Sequence, residues 1–277
     1  MFITRFAPSP TGPLHLGHAY SAMLAHDRAQ AEGGTFLLRI DDLDQSRCRP
    51  EWEAQIFDDL AWLGLDWPRP VLRQSTRLPR YRAALNILWD QGLLYHCFCS
   101  RADIRAAASA PQEGAPLLGP DGVNYPGTCR PTAPQNGPMP EGCALRLDMA
   151  RACARLTNPL IYREKDDVIT PRDLPETVGD VVLARREMGA SYHLSVVVDD
   201  ADQGITHVIR GEDLQEATQI HVLLQHLLGL PTPAYHHHAL IRDDAGKRLA
   251  KRDDARAIAT FRAEGASPQD IRAMVGL

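Results

Sequence analysis

Residues 1–40 read MFITRFAPSPTGPLHLGHAYSAMLAHDRAQAEGGTFLLRI, and this stretch decides the fold class. Met1–Ala7 is short and rich in apolar residues. Pro8, Pro10 and Pro13 stop it, because proline has no N–H for a sheet ladder; a buried strand entering a rigid turn is predicted. After Gly17, the stretch His18–Glu32 has no Pro or Gly and carries Ala19, Ala22, Met23 and Ala29 at helical offsets. Gly33 and Gly34 end that helix, and Thr35–Ile40 reads as a second strand. Strand, glycine-containing turn, helix, strand is the pattern of a parallel sheet, so an α/β fold of the Rossmann type is expected.

Working outward, two amphipathic helices are predicted at Glu51–Leu63 and about Arg77–Leu94. From about Ala106 to Gly142 the composition turns to Ala, Pro and Gly, with eight prolines between Pro111 and Pro140, and regular structure is not expected. A loop that long inside a compact domain needs something to tie it down. Strand-like segments return at Cys143–Asp148 and Asp180–Arg186, followed by a long apolar passage, Tyr192–Arg210. Leu214–Leu228 is predicted as a helix with Asp213 as N-cap and Gly229 as terminator. The tail, Arg256–Leu277, holds two short helical stretches around Pro268.

The composition excludes whole classes. With 277 residues, 44% apolar and 23% charged, the chain can bury a real core, which rules out disordered and fibrous proteins. Mean hydropathy is -0.28, and no apolar run approaches the roughly 18–20 residues a membrane span needs. No secretory leader is visible at the start, so a cytoplasmic protein is expected. A net charge of -5 argues against a general nucleic-acid coat, although a local basic face remains open. Six cysteines are too few for a disulfide scaffold.

Three constellations carry chemistry. His15 and His18 of HLGH stand three residues apart at a helix start, with Gly17 letting a ligand approach the backbone. Unpaired N–H groups at a helix N-terminus favour phosphate, and two imidazoles beside it can donate hydrogen bonds as charge builds on a phosphoryl group. A zinc-binding HxxH pair is the competing reading. Near the other end, Gly246–Arg252 (GKRLAKR) puts four cations in six residues, a pattern that alone would be a solvated run. Cys97 and Cys99 are one residue apart and Cys129 follows about thirty later; three thiolates in that spacing suit zinc, which takes four ligands. No further cysteine stands in that neighbourhood, and His96 and Cys143 are candidates for the fourth position. The histidine run 236–238 is assigned to a sheet edge, without a metal role.

HLGH followed by KRLAKR resembles the HIGH and KMSKS signatures of class I aminoacyl-tRNA synthetases. RFAPSPTG (5–12), LRIDDLD (38–44) and ITHVIRGEDL (205–214) are similar to the glutamyl branch, and the resemblance runs over nearly the whole chain. It implies that His15, His18 and Lys251 bind ATP, with Mg²⁺, and stabilise attack of an amino-acid carboxylate on the α-phosphate. It implies a glutamate pocket at Arg5, Phe6, Ala7, Pro8, Ser9, Asp41, Tyr192 and Arg210. The chemistry agrees: a γ-carboxylate calls for guanidinium, an α-ammonium for a carboxylate. Some glutamyl-type enzymes place a tyrosine four residues before the last cysteine, which makes Tyr125 the fourth ligand of a single structural Zn²⁺ with Cys97, Cys99 and Cys129. Two departures stand out. The usual KLSK reads RLAK here, with Ala250 for the hydroxyl, and Asp41 replaces a glutamate.

The layout implied is a first Rossmann half at 1–95, a zinc-binding connective insert at 96–180, a second half with the KMSKS-like loop at 181–253, and a short helical tail at 254–277. No anticodon-binding domain is expected beyond it. That truncated arrangement resembles the glutamyl-Q tRNA(Asp) synthetase family, which implies ATP, L-glutamate and tRNA(Asp) carrying queuosine as partners, in a monomer. The alternatives are a truncated glutamyl-tRNA synthetase charging a 3′ end, a small-molecule adenylyltransferase, and a non-catalytic tRNA-binding paralogue.

Overall fold

The computed structural model describes residues 1–108, 118–120, 122–135, 137–241 and 256–277. The chain divides into two compact units, Met1–Thr76 with Gly204–Gln215 and Pro233–Leu277, and Arg77–Gln203 with Glu216–Thr232.

The first unit contains the parallel sheet read from residues 1–40. Strand Ile3–Phe6 pairs parallel with Thr35–Ile40, Ile3 opposite Thr35 and Phe6 opposite Leu38. Thr35–Ile40 pairs parallel with the two-residue strand Leu72–Arg73. A second parallel pair joins His207–Gly211 to Ala234–His238. Thr206 links the two pairs: its N–H donates to Ile3 O at 2.9 Å, its hydroxyl accepts from Ile3 N at 2.8 Å, and its carbonyl accepts from Ala234 N at 2.9 Å.

Helix Leu16–Ala31 makes the first crossover, and its buried face is small: Ala19, Ala22, Ala25 and Ala29 have no exposed surface. That face packs into one apolar cluster with Leu14, Met23, Phe36, Leu38, Ile40, Ile56 and Leu60. Gly34 is required at the return, because a Cβ there would stand 2.2 Å from Phe2 O. Helix Pro50–Trp62 follows, opened by its proline as N1 residues allow. The tail forms helices Ile258–Ala263 and Pro268–Val275, the second started by a Ser267–Asp270 capping box. Ile258 and Ile271 are fully buried in the same cluster, and Arg272 grips Asp27 with two hydrogen bonds of 2.7 and 2.9 Å.

The second unit holds an antiparallel sheet in which Ala144–Leu147 lies between Leu94–Cys97 and Val182–Ala184. A hairpin pairs Tyr162–Glu164 with Asp167–Ile169, and a smaller one pairs Leu118–Gly119 with Gly122–Val123. Its longer helices are Leu78–Asp90, Tyr192–Asp202 and Thr218–Leu228. Two buried carboxylates tie it together. Asp199 accepts from Arg77 Nε and Tyr81 Oη, both at 2.7 Å; Asp180 accepts from the Tyr95 hydroxyl, from Arg130 Nε at 2.7 Å and from Met149 N at 2.9 Å. No helix among the described residues is long and apolar enough to cross a membrane.

Three local expectations change. Asp213 is not a helix N-cap: Glu212–Leu214 closes as a 3₁₀ turn, and the helix starts at Thr218 behind Ala217. Gly229 does end it, in the left-handed conformation at φ 64°. The apolar passage Tyr192–Arg210 splits into a helix to Asp202 and a strand from His207. The region expected to be irregular from about Ala106 begins inside helix Arg101–Ala108 and contains the short paired strands Leu118–Gly119 and Gly122–Val123.

Candidate active site

At the HLGH corner the two histidines are built into the helix start. His15 is the N-cap of Leu16–Ala31, extended at φ -122° and ψ 176°, and its Nδ1 accepts from Gly17 N–H at 3.1 Å. His18, three residues on, accepts at Nδ1 from His15 N–H at 3.2 Å. The result is a capping box made of two imidazoles, their ring centroids 3.8 Å apart and tilted by 35°. Gly17 makes room for it, since a Cβ there would press to 3.1 Å of His15 Cε1. Accepting at Nδ1 fixes the proton of each neutral ring on Nε2, so both rings are donors beside a helix N-terminus.

A cleft of about 360 Å³ opens beside this corner, lined by Phe6, Ala7, Pro8, Ser9, His18 and Asp41 from the expected set. Thr11 and Asp44, which fall within the 5–12 and 38–44 motifs, and Arg47 and Cys48, which fall outside them, also line it, and none of the four is among the expected site residues. Asp41 sits at the end of the second strand, where its N–H donates to Pro8 O at 3.0 Å. Arg39 Nε donates to Asp41 Oδ1 at 2.8 Å in a buried ion pair. Asp42 anchors the turn that follows, accepting from Ser75 N at 2.8 Å and Ser75 Oγ at 2.6 Å. Arg5 is buried in the first strand. Arg210, also buried, donates from Nε to His237 Nε2 at 3.0 Å and from Nη2 to Leu214 O at 3.2 Å, and lies 5.4 Å from the Tyr235 ring centroid.

Tyr192 belongs to the second unit and opens helix Tyr192–Asp202 behind the Ser191 cap. Its ring stands edge-on to His193 and His221, at 5.7 and 5.8 Å, and those two are hydrogen-bonded Nδ1 to Nε2 at 3.1 Å. Lys251 and Ala250 lie outside the described residues.

The cysteines converge within the second unit. The sulfurs of Cys97, Cys99 and Cys129 lie within 4.8 Å of one another, close enough to hold a metal ion. Neither His96 nor Cys143 belongs to this group. The Tyr125 hydroxyl is placed among the sulfurs, 3.5 Å from Cys97 Sγ and 3.4 Å from Cys99 Sγ, and it accepts from Cys129 N at 2.7 Å. Arg146 lies 3.8 Å over the Tyr125 ring and holds its face. Tetrahedral zinc with Zn–S near 2.3 Å sets its sulfurs about 3.7 Å apart, and Cys99 and Cys129 stand at 3.5 Å. Three soft donors and one oxygen at these separations fit zinc. Burial opposes the Cys129 thiolate, yet hydrogen bonds from the Tyr125 hydroxyl and the Phe98 backbone bring its pKa down to about 7. Burial pushes Cys99 up, as do its thiol neighbours Cys129 and Cys97.

Comparison with known proteins matches the whole chain, residues 1–277, to the model for tRNA synthetases class I (E and Q), catalytic domain. A glutamyl-Q tRNA(Asp) synthetase of Rhodobacter capsulatus is 65% identical, the alignment covering 99% of this chain and 100% of that one. Another of the same name, from Symbiobacterium thermophilum, is 42% identical over 98% of this chain and 84% of its own. Among solved structures, a glutamate tRNA ligase from Elizabethkingia meningosepticum, in complex with its amino acid, superposes with a TM-score of 0.77 at 28% identity. That match covers all of this chain and 60% of the ligase. With this sheet, this imidazole-capped helix and these relatives, the chain belongs to the class I tRNA synthetases of the E and Q branch, and within them to the glutamyl-Q tRNA(Asp) synthetase family.

Proposed function

We propose that this chain is a ligase that uses ATP to activate L-glutamate as glutamyl-adenylate, without tRNA, and then passes the glutamate to queuosine at the anticodon wobble position of tRNA(Asp). The observation that carries this reading is the 65% identity, over essentially both full lengths, to a relative of that name. The cleft beside the HLGH corner supports it, because Phe6–Ser9, Asp41 and His18 line one space.

In the first step the glutamate α-carboxylate attacks the α-phosphorus of ATP and pyrophosphate leaves. Negative charge spreads over the phosphoryl oxygens, and the Nε2–H groups of His15 and His18 donate to it, with Lys251 adding a cation. Asp41 pairs with the α-ammonium, and its ion pair with Arg39 orients the carboxylate in its buried place. Arg5 and Arg210 take the side-chain carboxylate, and Tyr192 adds a hydrogen bond. His237 holds the Arg210 guanidinium through a neutral acceptor, which leaves its positive charge available to substrate. In the second step the queuosine acceptor attacks the activated carbonyl and AMP leaves. Mg²⁺ accompanies ATP and screens its phosphates. Zinc, one per chain, is held by Cys97, Cys99, Cys129 and Tyr125, and it completes the fold of that region. The enzyme acts as a monomer in the cytoplasm.

The test is incubation with ATP, labelled glutamate and tRNA with or without queuosine, alongside ATP–pyrophosphate exchange with glutamate alone. Exchange without tRNA, and label retained only on queuosine-bearing tRNA(Asp), is the expected result. Label at a 3′ end whatever the wobble base would establish the ordinary glutamyl-tRNA reaction instead.

A further inference from the structure

Arg146 stands on Ala144–Leu147, the middle strand of its sheet, directly opposite Tyr95, and Ala144 is opposite Cys97. Residues two apart on a strand share a face, so Arg146 rises from the side of the sheet that carries Cys97 into the cysteine cluster. Among the described arginines of the second unit it alone is buried, at 7% exposed. Its contacts do not match its charge. Nη1 donates to the Asp180 carbonyl at 2.9 Å, the guanidinium carbon lies 3.8 Å from the centre of the Tyr125 ring, and Nε is buried without a hydrogen-bond partner among the described residues. Asp180 gives its carboxylate elsewhere, to Tyr95, to Arg130 Nε at 2.7 Å and to Met149 N at 2.9 Å. Asp148 is paired with Arg151, and among the described residues no carboxylate reaches Arg146. Arg39, buried in the first unit, has Asp41 at 2.8 Å. A buried cation is expensive unless an anion answers it.

We propose that Arg146 is the counter-ion of the metal site formed by Cys97, Cys99, Cys129 and Tyr125. Three thiolates outweigh the two charges of zinc, so the filled site is an anion even before its oxygen donor is counted. Tyr125 is the spacer between the two charges: its hydroxyl lies among the sulfurs and its ring face lies against the guanidinium. Attraction across that ring acts in a place from which water is largely excluded, where charges are weakly screened. The coupling is reciprocal. Whatever the filled site contributes to holding Arg146 buried, Arg146 contributes to zinc affinity. The assignment rests on the reading that these four residues hold zinc.

Arg146→Met, which keeps an unbranched side chain without the charge, and Arg146→Lys, which keeps the charge, test it in the full chain. The readouts are Kd for Zn²⁺, by competition with a chromophoric chelator, and far-UV circular dichroism for the fold. Arg146→Met should weaken zinc binding about 10–100-fold, the range for partners lying just outside a metal's own ligands, and Arg146→Lys by much less. In a Cys99→His background a neutral imidazole replaces one thiolate, and the loss caused by Arg146→Met should shrink because less negative charge remains to balance. An Arg146→Met chain that is unfolded without metal should refold in saturating zinc by mass action. Unchanged affinity in Arg146→Met, equal losses in Met and Lys, or the same loss in both backgrounds would reduce Arg146 to a filler of space and overturn the counter-ion. So would an Arg146→Met chain that stays unfolded in saturating zinc. A wild type with no affinity for zinc overturns the reading of the cysteine cluster, and the counter-ion falls with it.

Discussion

The HLGH corner is assembled from side chains three apart and the cysteine cluster from two segments about thirty residues apart, and they are completed in opposite ways. At the corner each imidazole spends its Nδ1 on a backbone N–H of its own turn, so the helix that positions the rings is also capped by them. At the cluster three sulfurs and a phenol face one another, and the Tyr125 hydroxyl, pushed well above its ordinary pKa by burial and by the thiols, keeps its proton. One arrangement is finished by the chain alone. The other gathers electron-rich atoms that repel once ionised, an arrangement that a bound cation would relieve. The first unit thus completes its arrangement with its own backbone, while the second presents a set of donors able to hold a metal ion.

The largest expected effect separates the two directly. A chelator, or Cys129→Ser, should strip hydrogen-exchange protection from residues 94–108, 122–135 and 137–147 and leave residues 16–31 protected; structural zinc is worth on the order of 10 kcal/mol to such a region. Equal loss in both places would break the comparison. Next, His15→Ala should lower kcat for ATP–pyrophosphate exchange by about 10²–10³, roughly 3–4 kcal/mol of transition-state stabilisation. Its lost cap should cost only about 1 kcal/mol of stability, and its zinc content should match the wild type.

A third effect belongs to the unit that holds the HLGH corner and answers to protons. Asp59 is buried with Oδ2 unbonded, and burial, with Asp58 beside it, raises its pKa to about 6. The folded state therefore favours the neutral acid. The cost of ionising it is absent below the ordinary pKa of 3.8, grows as pH rises, and is complete above about 6. Asp59→Asn should stabilise the protein at pH 7 by up to roughly 3 kcal/mol and have little effect at pH 3.5, read by thermal melts with and without chelator. The smallest effect is at Arg272. Its pair with Asp27 is partly exposed, so Arg272→Ala should cost about 0.5–1 kcal/mol. The Arg272 hydrogen bond depresses the Asp27 pKa, so this contribution is present above the usual carboxylate pKa and vanishes as pH falls through the lowered one.

What can be read from sequence is what one turn or one strand contains. The strand–turn–helix–strand order, the HLGH corner and the C-x-C step are local, and the prolines and glycines that bound them are explicit. Arg39 and Asp41 are legible in the same way: they are two apart on one strand and so share a face. Arg210 with His237 is not, because that contact depends on the register between two parallel strands, where these residues are opposite each other. Asp213 resembles a cap because it precedes an apolar helix, yet the residues around it close a tighter turn first. Tyr125 is 28 residues from Cys97, and only the tertiary fold brings its hydroxyl to the sulfurs.

The tail has a consequence for how the chain could be divided. Ala257 bridges to His15, Ile258 N–H donates to Leu14 O at 2.9 Å, and Ile258, Ile271 and Val275 are buried with Arg272 latched to Asp27. The last stretch, 256–277, thus acts as a splint laid along the first helix, held by its own contacts as well as by the peptide bonds before it. A protease nick between 241 and 256 would yield two pieces that travel together as one particle, and a chain made as two separate polypeptides could reassemble at the seat Leu14 and His15 provide.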